Sequence, residues 1–172
     1  MFSEHIASEF STITILIRLG VAVLLGGIIG FEREIKGRPA GLRTNMMVSL
    51  AAASFTLLTA EFVVEAKEVG GIEIDPLRVI EAVIAGVAFL GAGAIIRGGD
   101  QVHGLTTGAS LWMAGAVGVA AGAGYFKLAA IGVGFALFIL ILLGLFERHA
   151  LKTETPPLEP QNGKKERGKR AD

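Results

Sequence analysis

The chain alternates long apolar runs with short charged islands. Apolar stretches of about 20 residues fall at Thr12–Gly30, Asn45–Val64, Leu77–Ile96, Leu105–Gly124 and Lys127–Phe146. A helix rises about 1.5 Å per residue, so each stretch matches the roughly 30 Å of hydrocarbon in a bilayer. The pattern predicts an all-α membrane protein, a five-span transmembrane helix bundle occupying residues 1–150. A soluble helical domain would need a polar stripe on each helix, and too little polar sequence lies between these runs. No Lys or Arg precedes the first run and the charges follow it, so it is expected to be a retained span rather than a cleaved signal.

Within the runs, small residues recur at helical spacing. The first carries Gly26 and Gly30, the third Gly86, Gly91 and Gly93, the fourth Gly118 and Gly122. Helices in lipid associate through close backbone approach and polar contacts, because the hydrophobic effect does not drive them together. These glycines are therefore expected to be packing surfaces. The second run places Asn45, Ser49, Ala52, Thr56 and Thr59 on one side as a mostly polar stripe. The fifth is rich in Leu, Ile and Phe and is expected to sit at the periphery, facing lipid.

Charge supplies the orientation. With the N-terminus outside, the inner segments hold four Lys or Arg in the first loop, Arg97, and seven from Arg148 onward. That is twelve, against Lys67, Arg78 and Lys127 on the other side. The positive-inside rule then predicts an outside N-terminus and a cytoplasmic C-terminus. Residues 151–172, with three prolines and the ending GKKERGKRAD, are expected to be a disordered basic cytoplasmic tail.

Two sets of polar residues are candidates for function. Arg18 lies six and Glu81 four residues into spans entering from the same side. An ionisable group costs about 2.5–3.5 kcal/mol at the centre of the hydrocarbon. The two are expected to pair, directly or through Asp75 or Arg78, as an outer-leaflet charge cluster. At the other end, Glu32 and Arg33 close the first span, Arg43, Thr44 and Asn45 open the second, Arg97 ends the third, and Thr106 and Thr107 open the fourth. Here Glu32 and Arg43 are expected to bridge across the loop, and Thr106 to cap the fourth helix. Such a cytoplasmic-face site would suit a small ion or a partner.

Other classes are disfavoured. There is no G-x-x-x-x-G-K-[ST] loop for nucleotide phosphates, and His5, His103 and His149 are scattered, so no catalytic residue is assigned, no metal site is identified, and the protein is not expected to be an enzyme. With no cysteine, disulfides and thiolate metal sites are excluded. No cofactor and no nucleic-acid partner are expected.

FERE-x-x-GRPAGLRT after the first span, DPLR before the third, FLGAG within it and GLTTGASLW opening the fourth together resemble the MgtC/SapB family of bacterial inner-membrane proteins. The resemblance covers about residues 15 to 146. The residues matching its motifs are Glu32, Arg33, Gly41, Arg43, Thr44, Asp75, Arg78, Gly91, Gly93, Gly104, Leu105, Thr106 and Trp112. It implies a five-span domain with an outside N-terminus, and an inner-membrane protein tied to growth at low magnesium and survival inside host cells. Many members continue into a folded cytoplasmic domain, whereas only a short polar tail is expected here. The resemblance implies a membrane complex such as the ATP synthase or another ATPase as a partner. The lipid bilayer and a second copy of the chain are expected partners besides. The resulting expectation is a non-catalytic modulator of ion homeostasis or membrane energetics. A small oligomeric cation (Mg2+) transporter or channel is the alternative.

Overall fold

In the computed structural model, which describes residues 10–69, 75–98 and 101–150, five helices form one bundle. Ser11 starts α1 (Thr12–Ile35): its hydroxyl accepts from the Thr14 amide at 3.2 Å, satisfying one of the donors the first turn leaves open. The other helices are α2 (Leu42–Val69), α3 (Leu77–Ala94), α4 (Leu105–Gly122) and α5 (Phe126–Ala150). The first four are long and apolar enough to cross a membrane, and α5 adds the apolar stretch Phe126–Leu142. This is the all-α membrane bundle that the apolar pattern predicts.

The helices outrun the apolar runs at their charged ends. α1 continues past Gly30 through Glu32, Arg33 and Glu34 to Ile35, and α2 begins at Leu42 rather than Asn45. Hydrocarbon thickness limits the apolar run but not the helix, and Glu, Arg and Lys are good helix formers. α1 stops where Gly37 adopts φ +60°, a left-handed conformation that glycine reaches without a Cβ clash. Between α3 and α4 lies a feature the apolar pattern does not predict. Strands β1 (Ile96–Gly98) and β2 (Gln101–His103) pair antiparallel, with Ile96 opposite His103 and Arg97 opposite Val102. Arg97 is thus in a strand, beyond the end of the third helix.

α4 sits at the centre and packs against all four other helices. Backbones meet closely where α2 crosses α4 and α1. A Cβ at Gly118 would collide with the Ser49 carbonyl oxygen, and one at Gly122 would come within 2.6 Å of the Ala53 carbonyl oxygen. Gly26 and Gly30 do the same for α1, at 2.6 Å from Ser49 Cβ and 2.7 Å from Leu42 Cα. Ile29, Val117, Ala129 and Val133 bury the α1–α4–α5 contact, and Val48, Val87, Leu111 and Ala114 the α2–α3–α4 contact.

Both α3 and α5 are peripheral. α5 turns Leu128, Ile131, Phe135 and Phe138 outward, as its composition predicts. α3 meets α4 along Val87 and Gly91, the latter 3.5 Å from Gly108 Cα if given a Cβ. Gly86 and Gly93 do not pack within the chain: nothing lies within 4 Å of a Cβ at either. They lie around the helix from the Val87–Gly91 line, so the same small-residue pattern faces outward there. The expected disordered tail falls outside the described residues.

Candidate functional site

The densest set of polar contacts among the described residues lies along the α1–α2 loop, and one of them reaches the start of α4. Arg33, on the last turn of α1, is buried. Its Nη2 donates to the Thr107 hydroxyl at 2.5 Å and to the Pro39 carbonyl at 3.2 Å. One guanidinium therefore ties α1, the loop and α4 together. Asn45, fully buried on α2, donates through Nδ2 to the carbonyls of Ala40 (2.6 Å) and Gly41 (2.9 Å). Ala40 has φ +54°, a left-handed conformation that costs an L-residue about 1–2 kcal/mol. The Asn45 bond to its carbonyl helps hold it there.

Gly41, which precedes α2, has no side chain to cap it, and Glu34 does so from across the loop. Its Oε2 accepts from the Leu42 amide at 3.0 Å, placing a carboxylate at the positive end of the α2 dipole. The fit requires glycine at position 41, because a Cβ there would collide with that same carboxylate. Lys36 pairs with Glu32 one turn back and donates to the Leu140 carbonyl of α5 at 3.0 Å. The loop is thus braced from α1, α2, α4 and α5, while Arg38, Arg43 and Thr44 remain exposed on its surface. Arg33 Nε and Asn45 Oδ1 are buried without a partner among the described residues, so the cluster keeps one unused donor and one unused acceptor.

Several expected contacts are replaced. Glu32 bonds Lys36 rather than Arg43, since the i, i+4 partner is already within reach. Gly104, with φ +89°, is the N-cap of α4, so Thr106 is an exposed first-turn residue and Thr107 is the one that turns inward. The side chain of Arg97 lies outside the described residues. Glu34 and Lys36 were not among the expected site residues. The signal for Glu34 was a helix start with a glycine where Ser, Thr, Asp or Asn usually caps.

At the opposite end, Arg18 and Glu81 do not pair among the described residues. Arg18 Nη1 donates to the Gly122 carbonyl at 3.0 Å, and its guanidinium stacks over Phe10, 4.5 Å from the ring centroid. The last carbonyls of α4 lack helical partners and carry the negative end of its dipole, so they suit an arginine. Asp75 accepts from the Leu77 amide at 2.9 Å, while Arg78 and Glu81 are exposed on α3. The polar stripe of α2 is also closed. Ser49 donates to the Ala22 carbonyl at 2.8 Å and Thr56 to the Ala52 carbonyl at 2.8 Å. Thr59 donates to the Phe55 carbonyl at 2.9 Å. Among the described residues no group of three or more His, Cys, Asp or Glu is placed to hold a metal ion.

Apolar helices joined by backbone contacts, with a braced polar loop at one end, define a multi-pass α-helical membrane protein. The MgtC family profile matches residues 19–149, and the chain belongs to this family. It is 41% identical to Protein SapB of Bacillus subtilis, over 74% of this chain and 54% of that protein. It is 45% identical to Protein MgtC of Brucella abortus, over 73% of this chain and 49% of that protein. It is also 33% identical to a protein of Escherichia coli K12 named Putative magnesium transporter YhiD, over 75% of this chain and 60% of that one. The chain thus spans about half the length of the first two of these relatives. No solved structure matches it significantly.

Proposed function

We propose that this protein is a non-catalytic regulator in the bacterial inner membrane. It modulates ion homeostasis or membrane energetics by docking a partner complex on its α1–α2 loop. The observation that carries this reading is the bracing of that loop. A segment serving only to set topology needs positive charge, not a buried Arg33–Thr107 bond, a Glu34 cap and an Asn45 clamp. Rigidity lowers the entropy lost on binding, and the exposed Arg38 and Arg43 give the loop a basic surface suited to an acidic partner. The N-terminus lies outside and the loop faces the cytosol, in keeping with the Lys and Arg distribution. A membrane ATPase, with the ATP synthase as the candidate implied by family resemblance, fits this position.

The test is crosslinking in native membranes followed by identification of what is captured. Wild type is expected to retain a defined complex, and the Arg38→Glu, Arg43→Glu double variant to lose it while accumulating normally. Equal capture by both would refute the reading.

A second reading is a small cation transporter, favoured by the name of the E. coli relative. Magnesium passage calls for oxygen ligands and retained waters, whereas Ser49, Thr56 and Thr59 donate to backbone carbonyls. Flux of Mg2+ into liposomes holding the purified protein, abolished by Asn45→Leu, would establish transport instead.

A further inference from the structure

The outward faces of α3 and α5 differ in a way that lipid alone does not explain. α5 exposes Leu128, Ile131, Phe135, Phe138 and Leu142, large side chains that acyl chains solvate well. The face of α3 turned away from α4 exposes Arg78, Glu81, Ala82, Ala85, Phe89 and Ala92. These positions recur at three- and four-residue intervals and form one continuous stripe. Phe89 is 79% exposed, above the other exposed large hydrophobic residues among those described. Glu81 lies in the second turn of a span, and among the described residues the ion pairs include none to Glu81 or Arg78. An ionisable group on a lipid-facing surface is costly, and close backbone packing favours small residues.

We infer that this face is a homodimer interface, in which α3 packs against α3 of a second copy related by a two-fold axis along the membrane normal. The stripe is complementary to itself. At about 100° per residue, Arg78 and Glu81 lie roughly 60° apart around the helix, on opposite flanks of the Ala85–Ala92 line. A parallel two-fold axis brings the flank of one helix against the opposite flank of the other. Arg78 of each copy then meets Glu81 of the partner copy, so the dimer holds two such ion pairs and leaves neither charge unpaired. The same operation lays Phe89 of one copy over Ala85 and Ala92 of the other, a large side chain against two small ones. The contact is isologous, so it closes at two copies and does not propagate. It lies around the bundle from the Arg33 cluster and leaves the α1–α2 loop free.

Cysteine crosslinking in native membranes tests this directly, because the chain has no cysteine of its own. Under oxidation, the Ala85→Cys variant is expected to form disulfide dimers at least tenfold faster than Ile131→Cys on α5. In the Ala85→Cys background, Glu81→Arg and Arg78→Glu are each expected to slow the reaction. Combining the two is expected to restore it to within about twofold, which folding damage would not do. Phe89→Ala, which keeps both charges, is expected to slow it as well. Equal rates at positions 85 and 131 would overturn the interface. So would an exchanged pair that stays slow while each variant accumulates normally, or crosslinks from position 85 to a different protein.

Discussion

Arg33 on α1 and Thr107 on α4 stand 74 residues apart in sequence and are joined by a buried hydrogen bond of 2.5 Å. The same Nη2 holds the Pro39 carbonyl, so the loop cannot shift without disturbing the central helix. Lysine in place of Arg33 keeps the charge, but its shorter side chain ends before the position of Nη2 and leaves buried acceptors unsatisfied. Arg33→Lys is expected to lower unfolding stability by about 1–3 kcal/mol. Arg43 is exposed, and Arg43→Lys should change stability by less than about 0.5 kcal/mol. Denaturant titration in detergent compares them, and equal stability would deny Arg33 its bracing role.

Glu34 and Gly41 are coupled through the α2 N-terminus. Glu34→Ala removes the carboxylate that accepts from Leu42, a loss of about 1 kcal/mol. Gly41→Ala places a methyl where that carboxylate sits and drives it off the same amide. Because both changes break one bond, the double variant should lose less than the sum of the singles, by at least about 0.5 kcal/mol. Strict additivity in a double-mutant cycle would mean Glu34 does not cap α2.

Two glycines separate helix contact from helix surface. At Gly118 a Cβ would press on the Ser49 backbone, which has no freedom to move aside, so Gly118→Ala should force α2 and α4 apart and cut accumulation in the membrane several-fold. At Gly134 nothing lies within 4 Å, and Gly134→Ala should be neutral or stabilising by up to about 1 kcal/mol. Immunoblots of membrane fractions read both, and normal levels of Gly118→Ala would contradict the packing described.

Arg18 acts on a carbonyl rather than on Glu81. Arg18→Gln is expected to destabilise the protein by roughly 1 kcal/mol through the α4 C-terminus. Combined with Glu81→Gln its effect should add, with a coupling energy under about 0.5 kcal/mol. A coupling well above that value would restore the direct pair.

Spans were legible because one physical length, the hydrocarbon thickness, governs them. Gly26 and Gly30 were legible as packing residues because small side chains four apart must share a helix face. The orientation of α3 was not, since Gly and Ala occur all round it and spacing alone does not choose between Gly91 inward and Gly86 outward. The Arg18 partner was also hidden, because any span can end in free carbonyls and sequence names no particular one. At the loop, the residue types were visible but their pairing was not. Glu32, Glu34, Arg33, Lys36 and Arg43 allow many pairings, and only the fold decides that Glu34 reaches Leu42 and Arg33 reaches Thr107.

The orientation of the Arg38–Arg43 loop decides whether it can meet a cytosolic partner surface at all, and one labelling experiment settles that. A single cysteine at exposed Arg38 (Arg38→Cys) is treated with a membrane-impermeant maleimide, first in intact cells and then in inside-out vesicles. The prediction is no labelling in cells and full labelling in vesicles. Labelling in intact cells would put the braced loop outside and contradict its role as an inner docking surface.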